Sequence, residues 1–230
     1  YLSSSAVFSQ WTMGALGYNA MISANVNLWM LPGLVVGGIL GFIGFKKNWN
    51  LKYFILLGFG AFFINTLLTY LMIQPNMNVE MLYLPTIFKG IGMVILFIGV
   101  WFYASKDLPM QTSLGVIGIL MAFRTFVTLG ITGGIVGYLT TQYQAQSLAD
   151  MSNYWDAGMM GSEAMKGYGM MQLNSMLAAG KTLLGYFCWL IIPVAAYILL
   201  HDYGKVNWRR RVYIKKIVKG QSVKGYQLRH

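Results

Sequence analysis

Long apolar runs separated by short polar connections dominate this chain. The segments LWMLPGLVVGGILGFIGF, from Leu28, and LKYFILLGFGAFFINTLLTYLMI, from Leu51, flank the basic turn Lys46-Lys47-Asn48-Trp49-Asn50. A hydrocarbon core of about 30 Å needs roughly 20 apolar residues in a helix, and each arm meets that length. The pattern predicts six helical spans, at about 6–23, 28–45, 51–73, 81–104, 113–143 and 173–200. Pro85 falls in the first turns of the fourth span, where proline is tolerated, and Pro193 is expected to kink the sixth. The first span is the least apolar, with Ser9, Gln10, Thr12 and Asn19 inside it. The expected fold class is all-α: a polytopic transmembrane bundle over residues 1–201, followed by a basic tail over 202–230.

Composition agrees with that class. Of 230 residues, 57% are hydrophobic and 10% charged, against about 25% charged in soluble domains. The net charge of +11 is concentrated at one end, because His201 to His230 carry nine Lys/Arg and one Asp. This is a basic tail on a membrane body and not a basic, aromatic-bearing patch on a soluble fold, so no nucleic-acid partner is expected. From Trp208 to Lys219 the tail mixes cations with Val212, Ile214, Ile217 and Val218, which suits contact with anionic lipids on the cytoplasmic side.

Sidedness follows from the same charges. Placing the 46–52 turn inside puts Lys46, Lys47, Lys52, Lys106 and the nine tail cations there, 13 of the 17 Lys/Arg. The expected outer loop over 144–172 holds Asp150, Asp156 and Glu163 against Lys166 and is net acidic. Positive-inside bias and an even span count then agree on two cytoplasmic ends. Trp49 with Tyr53, Trp101 with Tyr103, and Tyr138 with Tyr143 fall near the predicted interfaces, as an aromatic belt does. The chain opens on Tyr1 with no basic leader, and the expectation is a segment of a longer membrane protein.

Few residues offer chemistry. Cys188 is the one cysteine, so no disulfide forms within the chain, and two histidines, His201 and His230, are too few for a His-rich metal cage. No Ser-His-Asp set, Walker loop, zinc spacing or paired carboxylate is present, so neither an enzyme nor a cofactor is expected. The thioethers of the Met-rich stretch from Met151 to Met176 could hold Cu(I). No His or Cys joins them, and plastic apolar packing accounts for them better. Gly37, Gly41 and Gly44, then Gly115, Gly118, Gly130, Gly133, Gly134 and Gly137, are spaced for close helix contact.

Arg124 stands near the middle of the fifth span, where an arginine costs at least about 2.5–3.5 kcal/mol. It either ties helices together through backbone carbonyls or serves substrate contact and conformational coupling. Lys89 and Lys181 can snorkel outward, with substrate contact as the other role for Lys89. Gln10, Trp11 and Asn19 make the first span the expected cavity liner, mixing apolar surface with few polar groups. No Asp or Glu falls within a predicted span, so an obvious proton carrier is missing.

With these residues in view, the chain resembles the C-terminal half of a major facilitator superfamily transporter. More narrowly it is similar to the fourteen-helix drug:proton antiporters, in a form associated with Bacteroidetes-type bacteria. Gly41-Phe-Ile-Gly-Phe-Lys46-Lys-Asn-Trp-Asn occupies the place of the superfamily's G-x-x-x-D-R-x-G-R-R loop. Gly41 and Lys46 fit that motif, while Phe45 replaces its acid and Asn48 its glycine. YLPTIFKGIGMVILFIGVWFYASKDLP followed by SLGVIGILMAFRTFVTLGITGGIVG resembles the family's paired helices, with Arg124 at the mid-span arginine. Val127 and Ile131 stand where that family has glycines. MQLNSMLAAGKTLLGYF resembles the lead-in to the last helix.

The resemblance implies proton-coupled export of amphipathic small molecules across a bacterial inner membrane, with the C-terminus cytoplasmic. It implies partners in the lipid bilayer, a small-molecule substrate and an N-terminal half that supplies proton-linked carboxylates. It also implies a conformational loop at Gly41, Lys46 and Lys47. A facilitator-fold importer of a nutrient or siderophore, or a six-span scaffold without transport, are the other readings.

Overall fold

The computed structural model describes residues 12, 17–47, 49–75, 77–105, 110–153 and 162–201. Every regular element among them is helical. In chain order these are α1 (Ala20–Leu28), α2 (Met30–Lys46), α3 (Leu51–Met72), a 3-10 turn (Val79–Leu82) and α4 (Tyr83–Ser105). Then follow α5 (Met110–Phe126), a π-helical stretch (Val127–Thr132), α6 (Gly133–Ser152) and α7 (Ser162–Leu200). Five stretches are long and apolar enough to cross a membrane: Ala20–Lys46, Leu51–Met72, Val79–Ala104, Gly115–Ser152 and Lys166–Leu200. The protein is a membrane-embedded helical bundle.

Agreement with the expected spans is best at the hairpin. Asn50 caps α3, its side chain accepting from the Lys52 N–H at 3.2 Å, and the Lys47 N–H closes α2 on the Ile43 carbonyl at 2.9 Å. Pro85 sits in the first turn of α4, as expected. Elsewhere the expected boundaries fail. The expected first span, 6–23, lies mostly outside the described residues, as does the tail over 202–230. The expected loop at Ser23–Asn27 is helical instead, and α1 runs into α2 with a break only at Trp29. Asn19 starts this helix by accepting the Ile22 N–H at 2.9 Å. The expected outer loop over 144–172 is also largely replaced by helix, since α6 runs on to Ser152 and α7 begins at Ser162. Hydropathy falls there, but Ala, Met, Leu and Gln are good helix formers, so the helices outlast their apolar stretch.

Small residues set the packing. α4 lies between α2 and α3; α3 also packs on α7, and α7 on α6. On α2 the buried residues are Gly33, Gly37, Gly41, Gly44 and Phe45, while Leu31, Val35, Ile39 and Phe42 face outward. The helix therefore turns its bulk to lipid and its bare backbone to α4. A β-carbon at Gly33 would strike the Ile87 carbonyl oxygen, and one at Gly90 the Met30 carbonyl. Lipid tails are as apolar as leucine, so this close approach gains dispersion where burial alone gains little. The glycines of α5, the π-helical stretch and α6 behave differently: Gly115, Gly118, Gly130, Gly134 and Gly137 would each meet open space. Their expected close contacts are not made among the described residues.

Two apolar clusters close the bundle's ends. Phe45, Leu51, Phe54, Ile95 and Ile198 gather at the end bearing the Lys46–Lys47 turn. Val26, Ile73, Met77, Leu82, Val136 and Leu183 gather towards the other. The end of α7 at residue 201 therefore lies at the same end as the basic turn. Thr66, Thr69, Thr86 and Thr140 donate their hydroxyls to carbonyls four residues earlier at 2.7–2.9 Å. This satisfies polar groups within their own helices, as a bilayer requires. Lys181 lies with its ammonium 5.4 Å from the centre of the Tyr70 ring, a cation–π contact between α7 and α3.

Candidate functional site

A groove of about 310 Å³ opens between α3, α4 and α5. Its walls are stripes set by helical periodicity. α4 contributes Met93, Leu96, Phe97, Val100 and Trp101, spaced three and four residues apart and so on one face. α5 contributes Ile117, Leu120, Met121 and Arg124 from one face, with Phe123 beside it, and α3 contributes Phe62. Phe97 and Trp101 lean on each other with ring centroids 5.4 Å apart, which gives the α4 wall a stiff aromatic segment.

Among the described residues of this lining, Arg124 is the only charged one and none is a carboxylate. It is exposed within the protein, not packed into a core. It lies fourteen residues beyond Met110, about 21 Å along the axis at ~1.5 Å per residue, and nine residues inside the membrane-length stretch that opens at Gly115. Its planar guanidinium offers five N–H donors and no acceptor. Immediately beyond it the helix widens into the π-helical turns of Val127–Thr132. Such stretches are rare and often mark functional positions.

Lys89 is the second cation at depth. It is half-buried on α4, one turn before Met93 on the stripe that continues through Leu96 and Val100. Counted back from Ser105, where α4 ends, it lies about 24 Å along the axis. Because α4 and α5 are consecutive spans running in opposite directions, Lys89 and Arg124 fall at similar heights.

The other expected site residues do not join them. Gln10 and Trp11 lie outside the described residues. Asn19 is exposed and spends its side chain on capping α1, which sets it in a structural role there. Gly41 is buried, and a β-carbon on it would meet the Ile98 side chain at 3.1 Å, so it serves helix packing. Lys46 and Lys47 are exposed at the basic end. Glu80 and Asp150 sit at the opposite end, which also carries Lys166. Trp101, expected in the aromatic belt, lines the groove.

The groove walls were not foreseen from the sequence beyond Arg124. The signal was present, however: Ile117, Leu120, Met121 and Arg124 form an i, i+3, i+4, i+7 set that carries the arginine on an otherwise apolar face. No protein-family model matches this chain, and neither the curated proteins nor the solved structures contain a match to it.

Proposed function

We propose that this chain forms the C-terminal half of a secondary-active transporter of the major facilitator type, exporting amphipathic small molecules by proton antiport across a bacterial inner membrane. The observation that carries this reading is the groove around Arg124: apolar walls, one cation within a membrane-length stretch, and room for a small molecule. Pockets for drug-sized ligands start at about 300 Å³ and combine apolar walls with few polar groups.

The packing supports movement around that groove. α2, α3 and α4 are locked through glycine contacts with backbone and side chains, whereas α5 touches the rest of the bundle only lightly. An element held by few contacts can shift between two positions at low cost, as alternating access around a midplane site demands. Glu80, Asp150 and Glu163, the carboxylates among the described residues, lie outside the groove. On this reading the proton carrier belongs to an N-terminal half.

The test is transport of a panel of cationic, neutral and anionic fluorescent amphiphiles by the full protein in oriented vesicles under an imposed pH gradient. Gradient-driven export of any of them supports the assignment. Uptake in place of export would move it to an importer of a nutrient or siderophore. Absence of flux across the panel, with stable protein partners in a pull-down, would establish a scaffold instead.

A further inference from the structure

We infer that the groove between α3, α4 and α5 takes an anionic amphiphile, its apolar body against Phe62, Met93, Leu96 and Leu120 and its carboxylate or phosphate on the Arg124 guanidinium. This names a substrate class for the transport reading and rests on that reading for its consequence, although binding is tested without flux.

Charge balance decides the class. An arginine guanidinium is a cation with five N–H donors, and the described residues of the lining include no carboxylate to neutralise it. A cationic ligand would be repelled at low dielectric, and a neutral one would leave the charge uncompensated. An anionic head group compensates it, and a planar carboxylate or phosphate matches the donor fork of arginine in two parallel hydrogen bonds. Lys89 adds to this field from α4, one turn before Met93 and just outside the groove lining. Arg124 is exposed, so a head group reaches it without displacing packed core. Phe97, Trp101 and Phe123 present flat apolar faces beside it, which suit an alkyl chain or a fused ring.

Trp101 in the lining supplies the readout. The full protein in phosphatidylcholine nanodiscs is titrated with ω-bromoundecanoate, whose bromine quenches indole fluorescence, and with the matching bromoalkyl trimethylammonium. Saturable quenching by the carboxylate is expected. It should weaken about ten-fold or more in Arg124→Gln, the size of losing one charge-assisted hydrogen bond. Arg124→Lys should retain most of it, which separates charge from fold, and Lys89→Gln should lose less than Arg124→Gln. Trp101→Phe should remove most of the saturable signal.

Displacement of the probe by phosphatidylglycerol would identify a lipid head group as the source of the anion. Lack of displacement would identify a free amphiphile. Either outcome upholds an anion site at Arg124. Equal binding of the ammonium probe, unchanged affinity in Arg124→Gln, or an undiminished signal in Trp101→Phe would overturn it. Anion binding without any flux would overturn the transport reading alone. Flux confined to cationic dyes, with no anion binding, would overturn this inference alone.

Discussion

Gly37 lies so close to Ile91 that a β-carbon on the glycine would stand 3.0 Å from the Ile91 carbonyl oxygen and 3.2 Å from its α-carbon. The obstruction is backbone, which cannot swing aside as a side chain can. Gly37→Ala must therefore push α2 and α4 apart, and overpacking of this kind costs about 1–3 kcal/mol. Gly38, its neighbour, meets nothing within 4 Å. Gly38→Ala should leave stability unchanged or raise it slightly through better helix propensity. Thermal unfolding in detergent, followed by thiol-dye labelling of the half-buried Cys188, compares the two. Equal unfolding temperatures would contradict the proposed glycine seam.

Tyr18 ties the approach to α1 to the connection after α3. Its hydroxyl donates to the Met77 carbonyl at 2.9 Å, and burial raises its pKa above the ordinary 10.0. The neutral phenol is the form favoured by the fold. Its contribution is complete below the ordinary tyrosine value and is lost as pH climbs through the raised one. Tyr18→Phe should cost about 0.5–1.5 kcal/mol near neutral pH. The gap between wild type and variant should close in strongly alkaline solution. A gap independent of pH would show that the hydrogen bond is not what the hydroxyl contributes.

The bundle has a defined sidedness. Lys47 and His201 lie at one end and Gln74 at the other, so single cysteines placed there on a Cys188→Ser background should label from opposite faces. An impermeant maleimide applied to intact cells should reach Gln74→Cys and spare Lys47→Cys and His201→Cys, because cations favour the cytoplasmic side. Labelling of Lys47→Cys and His201→Cys from opposite faces would contradict the helix order itself.

The hairpin was legible because two independent signals coincide there: apolar runs of membrane length and a polar basic turn between them. α4 was legible for the same reason, with Pro85 marking its start. Hydropathy misplaced the ends of α6 and α7, where helix propensity carries Gln, Ser and Met beyond the apolar stretch. The short connection expected between the first two spans falls in a capped helical run of nine residues. The candidate site was half legible. A mid-span arginine announces itself by its cost, but the partners of Arg124 come from α3 and α4, and sequence spacing cannot show which stripes of separate helices face one another. Met93 and Leu96 have the sequence character of ordinary lipid-facing or core positions, and Trp101 that of a belt residue, until α5 is set beside them.

The central claim is that Arg124 and its groove form the working site of a transporter. The direct measurement is pH-gradient-driven flux of a fluorescent fatty-acid analogue through proteoliposomes containing the full protein, for wild type, Arg124→Lys and Arg124→Gln side by side. Wild type should carry flux, Arg124→Lys should keep a large part of it, and Arg124→Gln should fall by about ten-fold or more, as loss of a charge-assisted contact predicts. Equal flux in wild type and Arg124→Gln, or no gradient-driven flux in any of the three, would contradict the account.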